Sequence, residues 1–356
     1  MNFLDIFNDD AFGLVSMTAA INKVDNIPGR AGALAFAGVG EGIATTTAVF
    51  EQKAETLSLI QSTPRGAPAP QETQDKATLN SVNIPQIKDE ATIGAHMVQG
   101  VREFGSTNAL RSAQAVVNTQ TLKITRKMDL TLENLRLGAL KGHVRDADGT
   151  LLADLYSLFG VSQGDDVNFD LTNTSADVRG KCQEVARYIK RNVKMTLPAS
   201  AKIWAFCGDD FFDRFISHTN VKATYQNWQA SEQRLGANYA FDVFSFGGIN
   251  FENYAGTDDA TIDDEGTIGI KPGECRFFLT GVPGLYAEYF APADFWSTVN
   301  TIGLPRYSRV VPDRDMDRYV KVHVQMNPLP VCLRPATLLR GIKTEGYGSD
   351  NPQSAD

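Results

Sequence analysis

The sequence predicts an α+β fold built around one unusually long helix. Between Gly105 and Gly138 there is no glycine or proline, and apolar or small side chains recur at a spacing close to 3.6 residues, which predicts a helix over 107–140. A second amphipathic pattern predicts a helix over 176–193. From residue 240 onward, short alternating segments separated by turns predict strands.

Length and composition exclude several broad classes. A chain of 356 residues suggests two domains at about 150 residues each. With 42% hydrophobic and 21% charged residues, wholesale disorder, collagen and coiled-coil rods are excluded. The net charge of −8 disfavours a dedicated nucleic-acid binder, although the charge is uneven, at +3 over 101–200 and −8 over 201–300. Ala31–Val39, an apolar stretch, is too short to span a membrane.

The first ninety residues predict two protrusions. Residues 1–42 are rich in glycine and alanine without a period, so we expect an extended arm, with Gly38–Gly42 as flexible chain rather than a dinucleotide loop. Residues 43–60 and 79–88 have the character of strands, and the proline-rich stretch 63–72 between them predicts an exposed tip. The unit 43–90 is therefore predicted to be a long two-stranded excursion, with Pro85 confining its returning strand to an edge.

Smaller elements follow the long helix, which would measure about 50 Å at 1.5 Å per residue. Asp148-Gly149 predicts a hairpin turn. We predict strands at Leu151–Phe159, Lys202–Cys207 and Tyr319–Met326, a short helix around Phe211–Phe215, a helix over 220–235, and a frayed polar tail after Gly341. In the strand Tyr319–Met326, His323 and Gln325 are predicted to face outward.

A search for catalytic chemistry returns no catalytic, cofactor or metal residues. The four cysteines are interpreted as buried reduced thiols: Cys182, Cys207, Cys275 and Cys332. Cys207 stands near Asp209 and Asp210, but no histidine is close in sequence, so a core residue is favoured over a nucleophile.

Metal and nucleic-acid sites are equally poorly supported. His96, His143, His218 and His323 lack ligand spacing. The acidic clusters 146–149 and 258–265 lack the spacing of a calcium loop, and are interpreted as a turn and a solvated loop. The basic face of the 176–193 helix is interpreted as solvent-exposed surface, with nucleic-acid contact as the lesser alternative.

The last third of the chain carries a specific succession of short motifs. In order, they are FDVF at 241–244, FENY at 251–254, GVPGLY at 281–286, APADF at 291–295, STVNT at 297–301, GLPRY at 303–307 and NPLPVCLRP at 327–335. Over about 241–341 this succession resembles the major capsid protein of lambda-type tailed bacteriophages, the phage major capsid protein E family. The N-terminal half is similar to the family in its order of elements rather than in motifs.

The resemblance implies the Hong Kong 97 type capsid fold. Its parts would be an N-terminal arm (1–42), an extended loop (43–90), a peripheral domain (91–196) with the long spine helix, an axial domain (197–295), a return to the peripheral domain (296–341) and a flexible C-terminal tail (342–356). The family has no catalytic residues to assign.

The implied function is assembly. Copies of the chain would form pentamers and hexamers of an icosahedral head shell around packaged double-stranded DNA, with weak non-specific DNA contact. The resemblance further implies a virion protein assembled in the host bacterial cytoplasm, with a separate scaffold protein and a portal, and leaves a decoration protein open. No enzyme activity, cofactor or membrane contact is expected.

Three alternatives remain open at this point. A cellular nanocompartment shell would enclose host enzyme instead of DNA. A tail or baseplate protein would form rings or tubes rather than closed shells. A Cys207-dependent hydrolase would be labelled by a thiol reagent, and Cys207→Ser would abolish the labelling.

Overall fold

The computed structural model describes residues 29–53, 77–99, 109–222, 224, 243–254, 269–316 and 318–344. The α-helices in these ranges include α1 (Arg30–Leu34), α2 (Ala95–Gln99), α3 (Ala109–Lys141), α4 (Leu155–Leu158), α5 (Val178–Asn192) and α6 (Asp209–Ser217), and residues 219–222, at the start of the helix predicted over 220–235, are helical too. The strands are β1 (Gly40–Gly42), β2 (Thr47–Lys53), β3 (Ala77–Asn83), β4 (Ile87–Gly94), β5 (His143–Arg145), β6 (Leu151–Asp154), β7 (Val167–Asn168), β8 (Lys202–Cys207), β9 (Val243–Phe246), β10 (Ile249–Asn253), β11 (Glu274–Thr280), β12 (Tyr286–Phe290), β13 (Tyr307–Pro312), β14 (Tyr319–Met326), β15 (Pro328–Cys332) and β16 (Leu339–Ile342).

The longest element, α3, has 33 residues and confirms the predicted long helix. Its apolar stripe packs on the three-stranded sheet of β13, β14 and β4. Ile124 and Met128 lie in one buried cluster with Val322 and Val324 of β14, so the helix and this sheet form a core of their own. Apolar side chains that repeat about every 3.6 residues along the helix pack here against apolar side chains that repeat every two residues along β14.

A six-stranded sheet carries the larger core. Its order is β7, β16, β11, β8, β10, β9, with β8 parallel to β10 and antiparallel to β11. Every residue of β11 is buried. Phe215 of α6 packs on Phe251 of β10 with ring centroids 4.2 Å apart. The predicted strand Lys202–Cys207, the short helix after it and the helix predicted over 176–193 are confirmed.

A third sheet joins distant parts of the chain. The strand β12 lies between β1, which is parallel to it, and β15, which is antiparallel. The prediction that Gly38–Gly42 is flexible chain is therefore wrong for Gly40–Gly42, because their backbone pairs with Glu288–Phe290. Three residues without a β-branched side chain gave no local indication of this pairing.

The hairpin of β2 and β3 is the described part of the predicted excursion. One face is buried, with Phe50 packed 5.6 Å from the rings of Phe159 and Tyr289. The other face exposes Val49 and Leu79. The proline-rich tip at 63–72 lies outside the described residues.

The predicted returning strand 79–88 is wrong as a single strand. The strand β3 ends at Asn83, and Ile87 begins β4, which pairs with β14 in another sheet. Pro85 lies in the break between them, where its missing N–H removes a ladder hydrogen bond.

The hairpin turn at Asp148-Gly149 is confirmed, with Gly149 at φ +84°. The strand predicted over Leu151–Phe159 is wrong beyond Asp154. The side chain of Asp154 accepts a hydrogen bond from the Tyr156 backbone N–H at 3.0 Å and caps α4. The apolar run therefore continues as a helix.

Two outward side chains of β14 were also predicted wrongly. Gln325 is buried and donates to Asn327 Oδ1 at 3.1 Å. His323 is half-buried, with its Nδ1 2.8 Å from Glu90 Oε1 on the neighbouring strand β4. Both side chains lie on the sheet face opposite the α3 core but are covered there, His323 by Glu90 and the Phe295 ring and Gln325 by Asn327.

The predicted flexible tail 342–356 is wrong at its first residues. Ile342 belongs to β16, and the Lys343 backbone N–H donates to Gly273 O at 3.0 Å. Three predicted features lie outside the described residues. They are the tail at 345–356, the acidic cluster 258–265, and the part of the helix predicted over 220–235 that follows residue 224.

Candidate functional site

The cysteines are buried core residues without a nucleophile's environment. Cys207 lies opposite Cys275 across β8 and β11, and both have no exposed surface. Burial raises the pKa of the Cys182 and Cys332 thiols to about 12, and that of Cys275 well above its ordinary value. Thiols with such pKa values remain protonated at neutral pH, which makes them unreactive. The prediction of buried, reduced cysteines is confirmed.

The structure does not bring the histidines together. They lie on α2, on β5, at the end of α6 and on β14. His218 is buried with Nε2 3.0 Å from the backbone oxygen of Asn173. Within the described ranges, no group of three or more His, Cys, Asp or Glu side chains is placed to hold a metal ion. The same part of the chain contains no helix that is both long and apolar enough to cross a membrane.

Two sets of side-chain contacts and the pairing of β1 hold the segment 29–42, which we call the docked arm. At its start, Arg30 Nε donates to Glu252 Oε1 at 2.5 Å, and the guanidinium lies 5.5 Å from the ring centroid of Trp204. Burial raises the pKa of Glu252, and the hydrogen bond from Arg30 opposes that rise. The docked arm is thereby tied to β8 and β10 of the six-stranded sheet.

Glu133 of α3 is the second fastening. Its carboxylate accepts hydrogen bonds from the Ala31 backbone N–H at 2.7 Å and the Gly32 backbone N–H at 3.2 Å, and from Tyr254 Oη at 2.9 Å. Burial, and then the adjacent Glu133 charge, raise the pKa of Tyr254, so it remains a hydrogen-bond donor at neutral pH. A carboxylate at the start of a helix satisfies N–H groups that have no partner within the helix.

A further ion pair lies beside β1 and joins α3 to β12. Arg136 donates from Nε and Nη2 to the two carboxylate oxygens of Glu288, both at 2.8 Å. Glu288 is also the residue of β12 that pairs with Gly40. This buried bidentate pair fixes α3 against the sheet into which the docked arm inserts its strand.

Close backbone approach at β1 requires glycine. A Cβ added to Gly42 would stand 2.1 Å from the backbone oxygen of Gly303 and 2.7 Å from Ile302 Cγ2. We expect Gly42→Ala to lower the free energy of unfolding in urea by about 2 kcal/mol, because β1 must move away from Ile302 and Gly303. The matched variant Glu41→Ala changes an exposed residue of the same strand and should stay within about 0.5 kcal/mol of the parent chain. Equal losses in both variants would contradict the tight fit.

A buried charge cluster lies beside the six-stranded sheet. Glu274 accepts hydrogen bonds from Arg340 Nε at 2.6 Å and from Arg276 at 3.2 Å. Arg340 also donates from Nη1 to Asp166 Oδ2 at 3.0 Å. Arg340 and Glu274 are both about 1% exposed, so the charges depend on one another for compensation.

Large apolar side chains stand exposed over residues 296–304, which we call the 296–304 surface. Trp296 is 97% exposed, and Ile302 is 69% exposed. Val299 and Leu304 complete the surface. Exposed apolar groups close together on a protein surface mark contact sites, and tryptophan is enriched among residues that dominate contact energy. The 296–304 surface is therefore the strongest candidate for a contact with another protein chain.

The sequence motifs STVNT and GLPRY overlap the 296–304 surface, but they did not predict its exposed apolar side chains, and no pattern predicted the contacts of the docked arm. Glu133 and Arg136 stand within the periodic helix α3, and their partners lie more than 100 residues away in sequence. The basic side chains of α5 that the sequence did single out, among them Arg187 and Lys190, are exposed as predicted.

The chain is similar to capsid proteins over most of its length. The profile of the family described as "Phage major capsid protein E" matches residues 13–343. The major capsid protein of Salmonella phage Felix O1 is 26% identical over 348 residues, covering 89% of this chain and 93% of the relative. That of Pseudomonas phage KPP10 is 22% identical over 343 residues, covering 93% of this chain and 96% of the relative.

Comparison with solved structures also indicates a capsid fold. The subunit in the mature capsid of bacteriophage PhiM1 superposes with a TM-score of 0.51 at 11% identity, covering 87% of each chain. The α+β capsid fold implied by the motifs is confirmed. Because the family match spans almost all of the described elements, the chain belongs to the phage major capsid protein E family.

Proposed function

We propose that copies of this chain associate in rings of five and six and close into an icosahedral shell around double-stranded DNA. Membership of the capsid family makes the chain a structural shell protein of the phage particle. The proposal goes beyond family membership in three respects. It adds the rings of five and six, the enclosed DNA, and the use of a separate scaffold protein and a portal. The complete burial of Cys207, which lies opposite Cys275 across β8 and β11, supports this function over the hydrolase alternative.

We propose the following roles for the parts of the chain. Residues 1–42 act as the N-terminal arm, and the hairpin of β2 and β3 is the base of the extended loop. The long helix and the β13–β14–β4 sheet belong to the peripheral domain, and the six-stranded sheet belongs mainly to the axial domain. Because β4 pairs with β14, we end the extended loop at residue 86 rather than at residue 90.

The observation that carries the proposal is the 296–304 surface. A tryptophan with 97% exposure gains nothing for its own subunit, since it buries almost no surface there. Covering it with a neighbouring copy removes this apolar area from water. Val49 and Leu79, on the outer face of the β2–β3 hairpin, offer a second apolar surface of the same kind.

Trp296→Ala should leave a folded subunit that assembles poorly. If Trp296 dominates one subunit contact, its loss costs about 2 kcal/mol per contact and raises the concentration needed for assembly about 30-fold. Light scattering against protein concentration measures this threshold. Thermal unfolding of the unassembled subunit should be unchanged, because the indole touches little of its own chain.

A matched pair of variants tests whether the position of an exposed apolar side chain matters, or only its apolar character. Ile302→Ala lies on the 296–304 surface, whereas Leu151→Ala removes an exposed leucine from β6. Ile302→Ala should raise the assembly threshold and Leu151→Ala should not. An unchanged threshold for both Trp296→Ala and Ile302→Ala would remove this surface from the subunit contacts.

Electron microscopy of the parent chain tests the proposed function itself. The protein is expressed alone and with its neighbouring phage genes, at rising concentration. Closed shells with five- and six-fold clusters that package DNA are the expected result. Shells holding host enzyme would favour a nanocompartment, and rings or tubes a tail component. A persistent monomer under all conditions would overturn shell formation.

A further inference from the structure

A cleft of about 720 Å³ opens between one side of α5 and the turn that joins β9 to β10. We call it the α5 cleft. None of its lining residues belongs to the docked arm or to the 296–304 surface. Its floor is apolar and is formed by side chains of α5, of the loop before β8, of β8 and of β11. The floor residues are Ala186, Ile189, Leu197, Ile203 and Leu279.

Three exposed cations stand around this floor, and we call them the cationic rim. Arg187 and Lys190 line the cleft from α5, and Lys202 lines it from the start of β8. Arg187 donates from Nη2 to the neutral Oε1 of Gln183 at 3.2 Å. In the part of the chain that the structure describes, neither Lys190 nor Lys202 forms an ion pair, and no carboxylate lines the cleft. The cationic rim is therefore open to a ligand.

An apolar floor inside a cationic rim favours an acidic peptide that carries an apolar side chain. The apolar side chain removes the floor from water, while the carboxylates form charge-assisted hydrogen bonds with the rim. A phosphodiester backbone could pair with the rim but would leave the floor uncovered. The far wall adds polar groups for a peptide backbone, from Ser245, Gly248 and Asn250.

The chain itself contains a segment of this chemistry at 258–265. Its sequence, DDATIDDE, has five carboxylates around Ile262 and no lysine or arginine. The last described residue before it, Tyr254, donates its backbone N–H to Cys207 O at 2.9 Å. Cys207 is five residues from Lys202 along β8, so the chain enters the segment about 17 Å from the cleft. A neighbouring copy can therefore offer the segment without the chain turning back along its own sheet.

We propose that the α5 cleft binds the acidic segment 258–265 of a second copy of this chain. Ile262 covers the apolar floor, and the carboxylates on either side of it pair with the cationic rim. The inference rests on the proposed function, because rings of copies bring many clefts and segments together. It deepens that function by naming a contact between subunits in addition to the 296–304 surface.

Fluorescence anisotropy with a labelled peptide of residues 255–268 tests the contact without shell formation. The full-length chain is titrated below its assembly threshold, and binding should weaken as the concentration of sodium chloride rises. Arg187→Glu/Lys190→Glu should bind the peptide at least about tenfold more weakly than the parent. The matched control Lys123→Glu/Arg126→Glu reverses two exposed cations of α3 and should bind like the parent.

Further peptides separate a specific contact from general charge attraction. The peptide with Ile262→Ser, and one of the original composition in scrambled order, should both bind more weakly than the native sequence. Equal binding of all three peptides, or equal weakening in both double variants, would overturn the proposal. Tighter binding of a short duplex DNA at the same cations would identify a phosphodiester site instead. Peptide binding that appears only after the chain's own acidic segment is neutralised would place that segment in its own cleft and overturn the second-copy contact.

Assembly of the full-length chain gives the second readout. Arg187→Glu/Lys190→Glu should raise the assembly threshold about tenfold, as measured by light scattering. Adding Asp263→Lys/Asp264→Lys to this variant should restore the threshold, because the charges are then exchanged between cleft and segment. An unrestored threshold would contradict the contact. A parent chain that forms no shells would overturn the proposed function, whereas absence of peptide binding would overturn this inference alone.

Discussion

Glu274→Ala is expected to lower the free energy of unfolding by about 3–5 kcal/mol. The change leaves the guanidinium groups of Arg340 and Arg276 buried without the carboxylate that both of them contact. Removing one partner from a buried ionic cluster costs more than the net stabilisation of the intact cluster, because the remaining charges lose their compensation. Urea unfolding of the full-length subunit, followed by far-ultraviolet circular dichroism, measures the loss.

Two further variants make the expectation specific. Glu274→Gln keeps an acceptor oxygen of similar shape and should lose less than Glu274→Ala. Glu184→Ala breaks an exposed pair with Lys181 on α5 and should cost less than about 1 kcal/mol. If Glu274→Ala lost no more than Glu184→Ala, the buried cluster would not contribute to stability as its geometry indicates.

Glu133→Ala is expected to release the docked arm and to cost about 3 kcal/mol. The Ala31 and Gly32 backbone N–H groups and the Tyr254 hydroxyl lose a charged acceptor in a buried position. Opening should expose the peptide bond after Arg30 to trypsin. Mass spectrometry of timed digests would then show faster cleavage at Arg30, alongside the lower stability measured in urea.

The control for this variant lies on the same helix. Lys123→Ala changes an exposed residue of α3 and should alter neither the cleavage rate at Arg30 nor the unfolding free energy by more than about 0.5 kcal/mol. Glu133→Gln should lie between the parent and Glu133→Ala, since its amide still accepts a hydrogen bond. Slow cleavage at Arg30 in Glu133→Ala would show that the other fastenings suffice.

The sequence predicted those elements whose pattern is local. The helix α3 repeats its apolar stripe often enough to be recognised, and β14 alternates over eight residues. The run after Leu151 failed because a short apolar segment fits a strand or a helix. The cap formed by Asp154 decides between them.

The fastenings of the docked arm could not be predicted, for a different reason. The pairing of Gly40 with Glu288 and that of Arg30 with Glu252 join residues more than 200 positions apart. Neither end has a distinctive local pattern, since charged residues in a helix and glycines in a flexible-looking stretch are common. Burial turns them into specific contacts, and burial is a property of the assembled fold. The family motifs over 241–341 predicted the fold despite this.

The parallel pairing of Gly40–Gly42 with Glu288–Phe290 also fixes an order of events during synthesis. The ribosome completes the first strand about 250 residues before its partner exists, which at 5–20 residues per second is a delay of roughly 12–50 s. Throughout that interval β1 has no native strand with which it can pair. The strand β1 is therefore made long before it can be placed, and the docked arm reaches its native position only after β12 has been synthesised.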